Sequence, residues 1–291
     1  MSDTLSLFSE AAPLRNLGPS PLADNTPLEK VAGWDQVWVK REDMSCPEPG
    51  PCFSKIRGVY ARIAARPEKL IGVLDTYHSK AGWAVAYICH LLGKECINFY
   101  PKYKADGDDL REQQQRAVAF GATLHPLKAG RSAILYHTAR RETEKLGGYL
   151  MPNALKLSET VTECAREVER TAGLEDFEHV IISISSATIA TGVMKGLHQQ
   201  GLNPTVWLHM GYERSQDAIR RYMLKYHPAG FPFPIHFINE KYGYKDQAKT
   251  GAFKSPPFPC NPYYDLKAWR WMDREGLAQM PGRVLFWNIG S

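Results

Sequence analysis

The sequence of 291 residues is notable first for what it lacks. No run of about eighteen apolar residues occurs, so no segment is long enough to cross a bilayer as a helix. The opening MSDTLSLFSEAAPLRN has neither the basic start nor the apolar stretch of a secretory signal, so export is not expected and a cytoplasmic setting is. The six cysteines form no CxxC pair and show no regular spacing, which argues against a zinc site and a disulfide scaffold in a chain this large. Reduced thiols and no metal are the expectation. No Lys/Arg block exceeds the pairs beginning at Arg140 and Arg220, and the net charge of +5 is spread along the chain. The dense basic face of a dedicated nucleic-acid binder is therefore missing, although an anionic ligand or polymer stays permitted. No GxGxxG follows a predicted strand, which disfavours a nicotinamide-type dinucleotide binder. Internal repeats and low-complexity tracts are absent as well.

What is present is a hydrophobic content of 44%, enough to bury a sizeable core in one large domain or in two lobes. Short apolar runs alternate with helical spacing. Strands are predicted at Gln36 to Arg41, Lys69 to Asp75, Cys96 to Tyr100, Ala122 to Pro126, Val180 to Ile184, Val206 to Met210 and Val284 to Asn288. Between and after them the spacing predicts helices over Ser54 to Ala65, Gly82 to Leu92, Asp108 to Phe120, Arg131 to Lys145, Ser158 to Thr171, from Thr191, Ser215 to Leu224 and Asp265 to Glu275. Residues 1 to 26, rich in Pro, Ser and Asn, read as an arm, and Phe231 to Pro234 and Ser255 to Pro262 as proline-rich loops. Such alternation predicts an α/β fold, a mainly parallel sheet covered on both faces that binds ligands at the carboxyl ends of its strands.

Three strand-to-helix turns carry chemistry. In the third, Ser185, Ser186, Ala187 and Thr188 end a buried strand and open a helix, which aims free backbone N–H groups and hydroxyls at one spot and suits a phosphate. The same residues also serve as an ordinary Ser/Thr helix cap. In the first turn, Lys55 follows a Pro/Gly loop at a helix start, where the helix dipole favours a nucleophilic amine; an exposed surface lysine is the plainer alternative. The second turn carries Tyr77, His78, Ser79 and Lys80. Phe53, Tyr77, Trp83, Tyr263 and Tyr264 add aromatic rings at these turns, either for stacking or as core.

The order of the pieces is more telling than any one of them. TPLEKV at Thr26, VWVKRED at Val37 to Asp43 and GPCFSKIRG at Gly50 to Gly58 resemble the opening of the fold type II, tryptophan synthase beta-like pyridoxal-phosphate enzymes. The look is nearest to 1-aminocyclopropane-1-carboxylate deaminase and D-cysteine desulfhydrase. The stretch His78 to Gly82 resembles the family's substrate-carboxylate turn, with His78 where serine is usual and Lys80 where an amide normally bonds the ring oxygen. Ser185 to Thr188 resembles the family's phosphate loop, with Ala187 and Thr188 replacing glycines and Gly192 on the later glycine. NPYYDLK (Asn261 to Lys267) and the ending Asn288 to Ser291 resemble the closing motifs of the deaminase branch.

The resemblance implies a two-lobe fold of three-layer parallel sheets, with residues 1–59 and 166–291 as the larger cofactor-binding lobe and 60–165 as a smaller mobile lobe. It implies pyridoxal 5'-phosphate held as a Schiff base on Lys55, its phosphate on Ser185, Ser186, Ala187 and Thr188, Lys80 near its ring and Asp265 on its pyridine nitrogen. Tyr77, His78, Ser79 and Tyr264 would face the substrate, His78 either as a second proton carrier or as a loop histidine bonded to backbone. The implied activity is lyase or deaminase chemistry at the α or β carbon of a small amino-acid-like substrate, in a homodimer. Two alternatives stay open: an enzyme acting on an amino-modified nucleotide or nucleic acid, argued from charge, Lys80 and the aromatics, and an inactive binding module of the same fold.

Overall fold

Near-continuous apolar strands such as LIGVL and HVIISI have no solvent face, because a parallel sheet joined by helical crossovers is covered on both sides. The computed structural model describes residues 22, 24–76, 78–103, 109–249, 251 and 253–290. The elements in chain order begin with β1 (Leu28–Lys30), β2 (Val37–Arg41), α1 (Ile56–Ala64), β3 (Leu70–Leu74), α2 (Ala81–Leu91) and β4 (Glu95–Lys102). Next come α3 (Glu112–Ala119), β5 (Thr123–Lys128), α4 (Ser132–Lys145), β6 (Tyr149–Leu150), α5 (Ser158–Arg170) and β7 (His179–Ile184). The series closes with α6 (Thr188–Gln199), β8 (Thr205–Met210), α7 (Gln216–Tyr226), β9 (Ile235–Ile238), α8 (Asp265–Trp271) and β10 (Val284–Asn288). Among the described residues no helix is long and apolar enough to cross a membrane.

The chain divides into two units. The first takes Glu48–Pro51 and Val59–Leu157 and holds a parallel sheet of four strands in the order β5-β4-β3-β6. Leu70 and Leu74 of β3 join Ile97, Phe99, Leu127 and Leu150 on one face, where α4 closes the layer with Leu135 and Ala139. Helix α2, buried along nearly its whole length, packs against β3 and β4.

The second unit takes Leu22–Pro47, Cys52–Gly58 and residues 158–290 and holds six strands in the order β1-β2-β10-β7-β8-β9, parallel except for the β1–β2 pair. Side chains alternate between faces. Val180, Ile182, Ile184, Val206, Leu208, Leu285 and Trp287 meet α5, α6 and α7, whereas Ile181, Trp207, Val284 and Phe286 meet Trp269, Trp271 and Met272. Each sheet is thus the middle of three layers, and the α/β class read from the sequence is the one observed.

The expected elements are shifted at their ends for identifiable reasons. Helix α6 starts at Thr188, earlier than Thr191, because Ala187 turns the chain at once with φ 62° and its carbonyl already accepts Thr191 N at 2.8 Å. Helix α8 passes into a π-helical turn, Met272–Gly276, inside the helix expected to run to Glu275. The edge strand β9 follows the proline-rich stretch directly and pairs with β8. The expected helix start at Asp108 and nearly all of the N-terminal arm lie outside the described residues.

Gly192 has a packing role. A Cβ there would sit 2.6 Å from the Val161 carbonyl oxygen and 2.6 Å from Cys164 Cβ, so α6 lies on α5 backbone to backbone. Replacing a helical glycine by alanine ordinarily gains about 1 kcal/mol of helix propensity. Overpacking against backbone costs about 1–3 kcal/mol and prevails here. Gly192→Ala is expected to lower the thermal midpoint by a few degrees; an unchanged or raised midpoint would contradict the seam.

Candidate active site

Lys55 sits on the turn that opens α1, and that turn is held from the far end of the sequence. Ser54 donates through both N (3.0 Å) and Oγ (3.3 Å) to the Ile289 carbonyl, just past β10, and Phe53 bridges Gly290. Gly290 has φ +133°, and a Cβ there would collide with the Cys52 carbonyl and stand 2.6 Å from Phe53 Cα. Only glycine lets the two strands of chain approach so closely. Asn288 fixes the same corner, donating from Nδ2 to Asp43 Oδ1 (3.0 Å) and to the Pro259 carbonyl (2.8 Å).

The Lys55 Nζ lies 3.4 Å from Ser186 Oγ, so the first and third turns meet. Ser186 Oγ is 3.0 Å from Thr188 Oγ1, which is 3.1 Å from the Tyr222 hydroxyl of α7. The first turn of α6 points N–H groups without intrahelical acceptors at this hydroxyl cluster. Ala187 adopts the left-handed conformation here, a strain that glycine would avoid and alanine bears at a cost of about 1 kcal/mol or more.

Tyr264 and Asp265 open α8 beside the same turn. The Tyr264 ring packs against Gly211, and Ser185 lies beside its phenol. Burial pushes that phenol well above the ordinary tyrosine value, with Tyr244 and Tyr212 adding to the effect. Asp265, fully buried, accepts from Ile289 N at 3.2 Å. Lys267 is also fully buried; it donates to the Gly211 carbonyl and lies 4.4 Å from the centre of the Tyr242 ring. Burial brings its ammonium down to about 8.

Beneath Lys55 lies a buried charge network built from the sequence motifs themselves. Arg57 Nη2 donates to Glu42 Oε2 at 2.6 Å, and Lys40 Nζ pairs with Glu167 Oε1 at 2.7 Å. Thr26 ties the two pairs, its Oγ1 donating to Glu42 at 2.7 Å and its N to Glu167 at 2.7 Å. Burial alone would raise the Glu167 carboxyl; Arg57 and Lys40 outweigh it and hold it below the ordinary value.

His78, Ser79 and Lys80 lie together in the first unit, on the turn between β3 and α2; Tyr77 lies outside the described residues. Ser79 Oγ accepts from Ala81 N at 3.0 Å, and Lys80 Nζ sits 5.4 Å from the centre of the Trp83 ring. Under the turn is Asp75, which accepts from Thr76 N at 2.9 Å. Burial raises its carboxyl to about 7 against the pull of its hydrogen bonds.

The family described as pyridoxal-phosphate dependent enzyme matches residues 14–225. The chain belongs to that family. Its cofactor is accordingly pyridoxal 5'-phosphate, and this pyridoxal-phosphate dependent enzyme has a near relative in the glycyl-dTMP PLP-dependent decarboxylase of Pseudomonas phage M6. The two are 52% identical over 280 residues, covering 93% of this chain and all of the relative. Among solved structures, an ACC deaminase homologue superposes with a TM-score of 0.70 at 14% identity, covering 91% of this chain and 92% of its own. A T.th. threonine deaminase gives 0.64 at 15% identity, covering 91% and 92%. At those identities the likeness carries the fold alone, which is the fold type II architecture.

Sequence reasoning missed Tyr222, Arg214 and Tyr212 around the third turn. Arg214 donates to the Ser185 carbonyl, and it stands in the turn after β8. That turn lies at a strand's carboxyl end, as the three chosen turns do, and its position was the available signal. Tyr222 offered none, being one polar ring on an amphipathic helix.

Removing one partner from a buried ion pair leaves an uncompensated charge and costs about 3–5 kcal/mol. Glu167→Ala in this pyridoxal-phosphate dependent enzyme is expected to lower the thermal midpoint by roughly ten degrees. The neutral but hydrogen-bonding Glu167→Gln should lose less, and equal midpoints for all three proteins would contradict the network. Asp75 supplies a pH test. Its carboxyl is raised on folding, so its contribution is complete below about pH 4 and is lost as pH rises toward 7. Asp75→Asn should therefore raise the midpoint at pH 8 relative to wild type and leave it nearly unchanged at pH 4; the reverse ordering would refute the raised carboxyl.

Proposed function

We propose that this chain is a decarboxylase acting on a glycyl group carried by a thymidine nucleotide, with Lys55 as the cofactor lysine. The observation that carries the reading is the 52% identity, along the full length of the relative, to a protein named for that reaction. Lyase or deaminase chemistry on a small free amino acid has only the distant solved structures in its favour.

The donor set fits the cofactor. An aldehyde needs a primary amine, and Lys55 offers one 3.4 Å from Ser186. A phosphate dianion needs converging donors, and the hydroxyls of Ser186 and Thr188 stand at the N-terminus of α6. Asp265 is the residue that would face the pyridine nitrogen, where its buried carboxylate would keep that nitrogen protonated. Ser185 and Ala187 complete the phosphate loop, the left-handed Ala187 giving the loop its shape. Bound pyridoxal phosphate supplies an electron sink for the pair released when the bond from the α-carbon to the carboxylate breaks.

The rest of the work falls to the chain. A substrate for this reaction needs a free amine and a free carboxylate on one carbon, so its nucleotide is joined through that carbon. When carbon dioxide leaves, the α-carbon must receive a proton. Lys55 delivers it. The raised phenol of Tyr264 stays protonated as a hydrogen-bond donor.

Incubated with pyridoxal phosphate and glycyl-bearing thymidine monophosphate, the protein is expected to release one carbon dioxide per amine product formed. Lys55→Ala should lose both that release and the violet absorbance band that borohydride bleaches in wild type. Ammonia and a keto acid in place of carbon dioxide would overturn the decarboxylase reading in favour of the lyase one.

A further inference from the structure

Lys267 is fully buried on α8, and its ammonium has few partners for a charge without water. It donates to the Gly211 carbonyl and lies 4.4 Å from the centre of the Tyr242 ring. Among the described residues no carboxylate stands within ion-pairing distance of it. The acids that act on it from further off, Asp246 and Glu240, are engaged elsewhere. Glu240 holds His209 at 3.0 Å and Arg270 at 3.1 Å, and Asp246 accepts from Gly243 N at 2.6 Å. A buried cation without a carboxylate weakens the fold that contains it, and its lowered ammonium is one sign of this. A perturbed, buried group beside a ligand site is a candidate for function, and here the geometry says which.

Gly211 is where three pieces of the second unit meet. Its N–H donates to the Ile184 carbonyl at 2.9 Å, one residue before the loop Ser185 to Thr188 begins. The Tyr264 ring lies flush against it: a Cβ at Gly211 would stand 2.6 Å from Tyr264 Cδ1 and 3.3 Å from the Tyr263 carbonyl oxygen. Lys267 reaches the same glycine from α8, two residues beyond Asp265. The start of α8 is thereby fastened to the strand ends from which the phosphate loop departs. Two further bonds brace the junction, Glu213 N to the Tyr242 carbonyl at 2.8 Å and Arg214 to the Ser185 carbonyl.

We propose that Lys267 is a positioning residue for the cofactor: through Gly211 it sets the span between Asp265 and the loop Ser185 to Thr188, so that the ring nitrogen and the phosphate are held at once. The proposal rests on the assignment of those two seats under the proposed function and adds the residue that spaces them. A rigid ring with a contact at each end tolerates little slack between its contacts, and a locked supporting side chain removes that slack.

The test is dilution of the full-length protein loaded with pyridoxal phosphate, followed by the violet absorbance band that borohydride bleaches, in wild type, Lys267→Met, Lys267→Gln and Ser186→Ala. Pyridoxal, which has the ring and lacks the phosphate, is the second probe. Lys267→Met keeps the length of the side chain and removes its charge and its donor. It is expected to weaken pyridoxal phosphate about tenfold or more and pyridoxal less than about twofold, because only the two-ended ligand senses the span. Lys267→Gln, with a donor on a shorter stem, should fall between wild type and Lys267→Met. Ser186→Ala should weaken pyridoxal phosphate and spare pyridoxal.

An unchanged affinity for pyridoxal phosphate in Lys267→Met overturns the proposal. So does an equal weakening of both probes, the mark of a lysine that only stabilises the fold. Should Lys267→Met not fold, an unchanged affinity in Lys267→Gln overturns it instead. Ser186→Ala separates the two levels of inference. If it holds pyridoxal phosphate as wild type does, the phosphate seat lies elsewhere and the proposal falls with it; if it weakens the cofactor while Lys267→Met does not, the seat stands and the role of Lys267 alone is rejected.

Discussion

Four charges without water, Lys40, Glu42, Arg57 and Glu167, lie under the turn that carries Lys55, every one of their side chains 3% exposed or less. Two positive and two negative groups sum to zero, and this makes the burial tolerable: each ion loses its hydration and recovers part of that loss from a partner at 2.6–2.7 Å. The arrangement works only when Thr26, β2, the start of α1 and α5 are all in place. Arg57 is two residues from Lys55 in sequence, so the position of the lysine depends on a charge balance assembled from four separate stretches of chain.

That dependence explains why the opening of the sequence was legible. TPLEKV, VWVKRED and GPCFSKIRG are three views of one network, because Thr26, Lys40, Glu42 and Arg57 all contribute to it. The strands were legible too, since a parallel sheet covered on both faces writes near-continuous apolar runs such as VIISI. What the sequence hid was set by tertiary contact. Strand β9 is four residues long and exists because β8 offers it an edge. The early start of α6 depends on a left-handed alanine, which no propensity anticipates. Glu167 reads as one more acid on a charged helix; only the fold turns it inward to Lys40.

The departures from the family's motifs have physical counterparts. Where glycines are usual, Ala187 carries backbone strain and Thr188 brings a hydroxyl linked to Ser186 and Tyr222. Strain in a loop is tolerated when the surrounding contacts over-determine it, and here the hydroxyl chain and the Ala187 carbonyl, accepting from both N and Oγ1 of Thr191, do so. Asn288, in the closing motif, joins Asp43 to the loop at Pro259. One corner of the second unit is therefore tied by the Asn288 side-chain amide.

The strand order has a bearing on how the protein comes into being. β10 lies between β2 and β7, so a strand distant in sequence from both neighbours is an interior strand of the sheet. The turn bearing Lys55 hangs on Ile289, 235 residues further along the chain. Contacts of such long range are slow to form, and until β10 inserts, the sheet has a gap and the lysine no fixed place. A chain without β10 carries all of Ser185 to Thr188 and yet has no seat for Lys55. Insertion of β10 and placement of Lys55 are in this way the same event.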